Sequence, residues 1–78
     1  MDDLLPIADV LLRETTSLMT IRGVTGTGEG RDESGKPVIV VYVSPEITRE
    51  DRIRIPRKLE GYRVEVRESG NVTAPPGG

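Results

Sequence analysis

The chain has no histidine, no cysteine, no tryptophan and no phenylalanine. Each absence removes a class of function. Without cysteine there is no disulfide framework, no thiolate metal site and no thiol redox chemistry. Without histidine, the side chain that most readily moves protons near neutral pH is gone. Two tyrosines are the whole aromatic complement. They are too few to line a pocket for a cofactor or a drug-sized ligand, so no cofactor is expected. Long apolar runs are missing too. The longest, Val-Ile-Val-Val-Tyr-Val at positions 38–43, is far short of a membrane crossing. The acidic Met1-Asp2-Asp3 opening is unlike a secretory signal, so the expected setting is the cytoplasm, away from membranes.

What remains is 78 residues, 35% of them hydrophobic, which fits one small domain. A domain of this size buries only about 60% of the surface its unfolded chain exposes. Its core must be thin, built from Val, Ile, Leu, Met and the two tyrosines. The net charge of −2 is unevenly spread. Positions 49–58 hold Arg49, Arg52, Arg54, Arg57 and Lys58 against Glu50 and Asp51.

Leu4, Ile7, Ala8, Leu11, Leu12, Leu18 and Met19 recur at three- and four-residue spacing, the apolar stripe of an amphipathic helix. Asp2 and Asp3 suit its positive end, Pro6 is tolerated in a first turn, and Thr15-Thr16-Ser17 predicts a stop near Ser17 or Leu18. Positions 21–30 read as a glycine-rich strand. Period-two alternation puts Val24, Gly26, Gly28 and Gly30 on one face, where a helix could lie close, and Thr25, Thr27 and Glu29 on a wet face. A polar turn at 31–35 predicts an antiparallel hairpin into 38–43, whose β-branched residues make the central strand. Ser44-Pro45-Glu46 carries the signals of a helix start, and the helix it opens should be short. Positions 53–56 are expected to be extended, since Pro56 disfavours helix at Ile55. Leu59-Glu60-Gly61 turns into a last strand in which Tyr62, Val64 and Val66 alternate with Arg63, Glu65 and Arg67.

The predicted fold is therefore α+β: a two-layer sandwich of order αββαβ, a three-stranded sheet with helices on one face. Residues 1–70 form the domain, and 71–78 (Asn-Val-Thr-Ala-Pro-Pro-Gly-Gly) form a flexible C-terminal tail. The central strand breaks the pattern of its neighbours. If Ile39, Val41 and Val43 point inward, Val38, Val40 and Tyr42 form an apolar strip on the wet side; the reverse assignment exposes the other trio. Either the long Arg and Glu stems of adjacent strands shield that strip, or it is a surface for a dimer or partner.

Three segments taken together resemble a known domain: Val-Thr-Gly-Thr-Gly-Glu-Gly (24–30), Gly-Lys-Pro-Val-Ile-Val-Val-Tyr-Val (35–43) and Asp-Arg-Ile-Arg-Ile-Pro-Arg-Lys-Leu-Glu-Gly-Tyr-Arg-Val-Glu-Val (51–66). They are similar to the small N-terminal domain found ahead of trypsin-like serine peptidase modules. The similarity covers residues 20–66 and implies a non-catalytic accessory domain. The peptidase module is not in this chain, so no hydrolase activity carries over.

Other motifs point to structure before chemistry. The Gly23, Gly26, Gly28, Gly30 series lacks the Gly-Lys-Ser/Thr and following helix that a phosphate-binding loop needs. Arg49, Arg52, Arg54, Arg57 and Lys58, with Arg63 and Arg67, form a candidate nucleic-acid surface. RNA-binding modules of the KH type use this topology in part, but the chain lacks their Gly-x-x-Gly clamp and stacking aromatics. Ser34 and Lys36 sit in a turn where nothing would lower the lysine pKa for catalysis. Asp32 and Glu33 are too few for a divalent metal site. Gly77-Gly78 is read as part of the tail rather than as a conjugation signal. No catalytic residue and no metal ligand is assigned. The expectation is a non-enzymatic protein-interaction or regulatory module, with Val38, Val40 and Tyr42 as its contact strip and another protein or a second copy as its partner. The alternative is a nucleic-acid-binding module built on the arginine cluster.

Overall fold

The structure, a computed structural model, describes residues 5–69. The predicted tail lies outside the described residues. The order is α1 (Ile7–Met19), β1 (Val24–Arg31), β2 (Pro37–Val43), α2 (Arg49–Ile53), β3 (Lys58–Leu59) and β4 (Tyr62–Glu68). The fold is α+β, with a mixed sheet of four strands rather than three, in the order β1-β2-β4-β3. β1 and β2 form the expected antiparallel hairpin, β4 joins β2 in parallel, and β3 pairs antiparallel with β4.

The extra strand is a two-residue piece that the turn at 60–61 folds back on β4. Both turn residues have positive φ, Glu60 at 50° and Gly61 at 91°. That is the backbone twist of a tight two-residue hairpin. It sets Leu59 opposite Tyr62 and Lys58 opposite Arg63.

α1 begins one residue after Pro6, whose carbonyl accepts from Asp9 N and Val10 N. It runs past the predicted stop to Met19. Thr15 is accommodated within it, its Oγ1 donating to the Leu11 carbonyl at 2.6 Å, a local bond that a helix tolerates. The buried stripe is rotated from the predicted one: Val10 and Leu18 are buried, whereas Leu12 is 79% exposed. On its buried side α1 packs over β1 and β2.

The Ser44-Pro45-Glu46 start opens only a turn, with Ser44 Oγ accepting from Glu46 N. The second helix begins later, capped by Thr48, whose hydroxyl accepts from Asp51 N at 3.1 Å. It is five residues long and none of them is buried. Ile55 is buried in a turn whose amide donates to Arg52 O, not in an extended segment.

The glycine ladder faces away from α1, opposite to the expectation. Val24 pairs with Val43, but Gly26 pairs with Tyr42, so Thr25 is an extra residue in β1. This bulge inverts the alternation that follows. Val24 stays in the core under α1, and Gly26, Gly28 and Gly30 turn to the far side. Thr27 faces the helix, its Oγ1 2.9 Å from that of Thr15.

The main core gathers Val10 and Leu18 of α1 with Val24, Ile39, Val41, Val43 and Ile55. Gly23 closes one end with φ of 98°, and a Cβ there would lie 2.7 Å from Ile47 Cγ1. Both the backbone and the close approach require glycine.

Candidate functional site

The two sides of β2 are closed by different means. Ile39, Val41 and Val43 point under α1. Val38, Val40 and Tyr42 point to the far side, which carries no helix among the described residues. Even so, Val38 and Val40 are only 1% and 0% exposed. The strip offered by the sequence as a contact surface is therefore not spare apolar area, apart from the half-buried Tyr42. Side chains close it. Val40 Cγ2 leans to within 2.8 Å of where a Cβ on Gly30 would stand, and Arg67 Nη2 to within 3.7 Å. Tyr42 Cε2 approaches Gly28 in the same way at 3.6 Å. Arg67 is fixed there by Glu65, at 2.9 Å.

The seven basic residues do not form one surface. Lys58 and Arg63 are cross-strand partners on the far side of the sheet, with Arg67 on the same face of β4. There Arg63 shares a cleft with Asp32, Glu33 and Glu65, and Arg67 is paired with Glu65. Arg54 stands out in solvent beside Asp51, at 4.0 Å. Arg49, Arg52 and Arg57 converge elsewhere, on a groove.

That groove lies on the helix side of the sheet, between α2 and β4. Val64, Val66, Ile53, Ile55 and Pro56 line it together with the three arginines, around a volume of about 480 Å³. Its origin is local. Val64 and Val66 are the register partners of Ile39 and Val41, so they face the same side and seek the same cover. α1 covers β1 and β2, whereas α2 is too short and too polar to cover β4. Val64 and Val66 are left half-buried, and Ile53 is 70% exposed. Among the described residues no carboxylate lies within ion-pair distance of Arg49, Arg52 or Arg57.

Sequence reasoning placed Tyr62, Val64 and Val66 on one face and the helices on one side of the sheet, without assigning a helix to each strand. The missed signal was in α2 itself: Arg49-Glu50-Asp51-Arg52 holds no apolar residue that could reach the sheet.

The turn residues have structural work. Asp32 Oδ1 accepts from Lys36 N at 2.9 Å, Ser34 N at 2.8 Å and Ser34 Oγ at 3.0 Å. These bonds, the Lys36 amide foremost, hold its carboxyl below its ordinary pKa. Ser34 and Asp32 are thus spent on the hairpin. Among the described residues no group of three or more acidic side chains is placed to hold a metal ion, and no helix is long and apolar enough to cross a membrane. Compared with family models, with curated proteins and with solved structures, the chain matches none.

Proposed function

We propose that the chain is a non-enzymatic protein-interaction module whose contact surface is the groove between α2 and β4. The observation that carries this is the contrast between register partners: Ile39 and Val41 are fully buried, and Val64 and Val66, one strand away on the same side, are not. Apolar sheet surface gathered in one place and rimmed by Arg has the composition of a protein contact, where Arg is enriched and Lys depleted. A proteolytic accessory role and a general regulatory role both fit within this reading. Nucleic-acid binding is less well supported, because Arg67 is paired with Glu65, Arg63 faces a cleft lined by Asp32, Glu33 and Glu65, and no aromatic lines the groove on which a base could stack.

Two titrations of the labelled chain, followed by NMR, test the reading. An apolar anionic dye, anilinonaphthalene sulfonate, should shift the methyl signals of Ile53, Val64 and Val66 first, with little loss of binding as salt rises. A mixed-sequence single-stranded oligonucleotide should leave them in place. Dye shifts centred on Tyr42, or oligonucleotide binding that collapses steeply with salt, would overturn it.

A further inference from the structure

We infer that the groove takes an acidic amphipathic helix supplied by another protein. This rests on the reading of the groove as a protein-contact surface and adds the identity of what fills it.

Shape comes first. A sheet face covered by helices carries them side by side, about 8–10 Å apart. Here α1 fills one berth, over β1 and β2, and the berth beside it, over β4, holds no helix among the described residues. The floor of that berth is Val64 and Val66, two residues apart on one strand face, with Ile53 and Ile55 at its margin. An apolar stripe at three- and four-residue spacing would rest on it as the stripe of α1 rests on β2.

Charge selects the occupant. Arg49 and Arg52, three apart, share one edge of α2, and Arg57 follows in the loop before β3. None has a carboxylate partner among the described residues. A docked helix with Glu or Asp flanking its apolar stripe supplies those partners. A second copy does not. The one long helix among the described residues, α1, has its apolar stripe already seated on β1 and β2, and its two acids, the exposed Asp9 and the partly exposed Glu14, stand with the cation Arg13 among them.

The test uses the full chain and synthetic peptides of about fourteen residues, roughly four turns. One repeats Leu at helical spacing with Glu on both flanks. A second has Lys in place of Glu, and a third is an extended Val/Thr peptide with acidic ends. The Glu peptide should bind, shift the Ile53, Val64 and Val66 methyls, and become helical by circular dichroism. The Lys peptide should bind at least about tenfold more weakly, as charge reversal at a close interface demands. The double variant Arg49→Glu/Arg52→Glu changes exposed side chains that make no ion pair among the described residues. It should reverse that preference, and Val66→Asp should abolish binding of both. If the extended peptide shifts these methyls and the helical ones do not, the occupant is wrong and the groove reading stands. The same holds if sedimentation shows a dimer that protects the groove. If nothing perturbs Ile53, Val64 or Val66, both fall.

Discussion

β2 and β4 lie side by side, in register and rich in β-branched residues, yet one is sealed and the other is open. Every residue from Val38 to Val41 is buried. In β4, by contrast, the residues on the same side of the sheet as α1 are only half covered. Position in a sheet therefore does not bury a side chain; a second layer does. β2 has two covers, α1 on one side and the Arg67–Glu65 and Tyr42 side chains on the other. β4 carries the cover for its neighbour's back and, among the described residues, lacks a full one for its own front.

The largest test of that contrast is a pair of truncations. Ile39→Ala empties a fully enclosed site and should cost about 2–5 kcal/mol. A small domain has little more than that in total, so the variant should be near the edge of folding. Val66→Ala removes a methyl pair that is only partly buried and should cost less than half as much. Urea midpoints at constant m give both values. Equal losses would mean that the open flank of β4 is as closed as β2.

A smaller effect probes the far side. Gly30→Ala drives a Cβ to 2.8 Å from Val40 Cγ2, and relieving such overpacking typically costs about 1–3 kcal/mol. Gly26→Ala, on the same face of the same strand, meets nothing within 4 Å. It should be neutral or slightly stabilising. If Gly30→Ala is also neutral, the side-chain cover over β2 is loose and the Val38–Val40 strip is available after all.

The smallest effect concerns the hairpin that joins β1 to β2. Asp32 has a lowered pKa in the fold, so its contribution is present above the ordinary value of 3.8 and is lost as pH falls through the folded-state value. Asp32→Asn should flatten that part of the acid limb of a stability–pH curve and leave the neutral region almost unchanged. An unaltered acid limb would show that the Lys36 and Ser34 contacts do not act on the charge.

Most of the architecture was legible in the chain. The apolar run 38–43 marked the central strand, Gly35 the hairpin, and the spacing from Ile7 to Met19 the long helix. Three misreadings have separate physical causes. Thr25 shifted the phase of β1, and no local residue type advertises a bulge. Leu12 was counted in the helix stripe when Val10 held the place, because a stripe of seven candidates does not fix the helix rotation to one residue. β3 is set by a two-residue turn rather than by its own composition. The groove was legible in its parts but not as a gap, since an opening depends on the length of the element that fails to cover it.

The bulge at Thr25 has one more implication. It works as a frame shift within a strand: a single supernumerary residue decides which way each of the next six residues faces. Deleting it would not merely shorten β1. It would swing the bare glycines beneath α1, strip the helix of its Thr15–Thr27 handhold, and uncover Val40 by carrying Gly30 out from beside it.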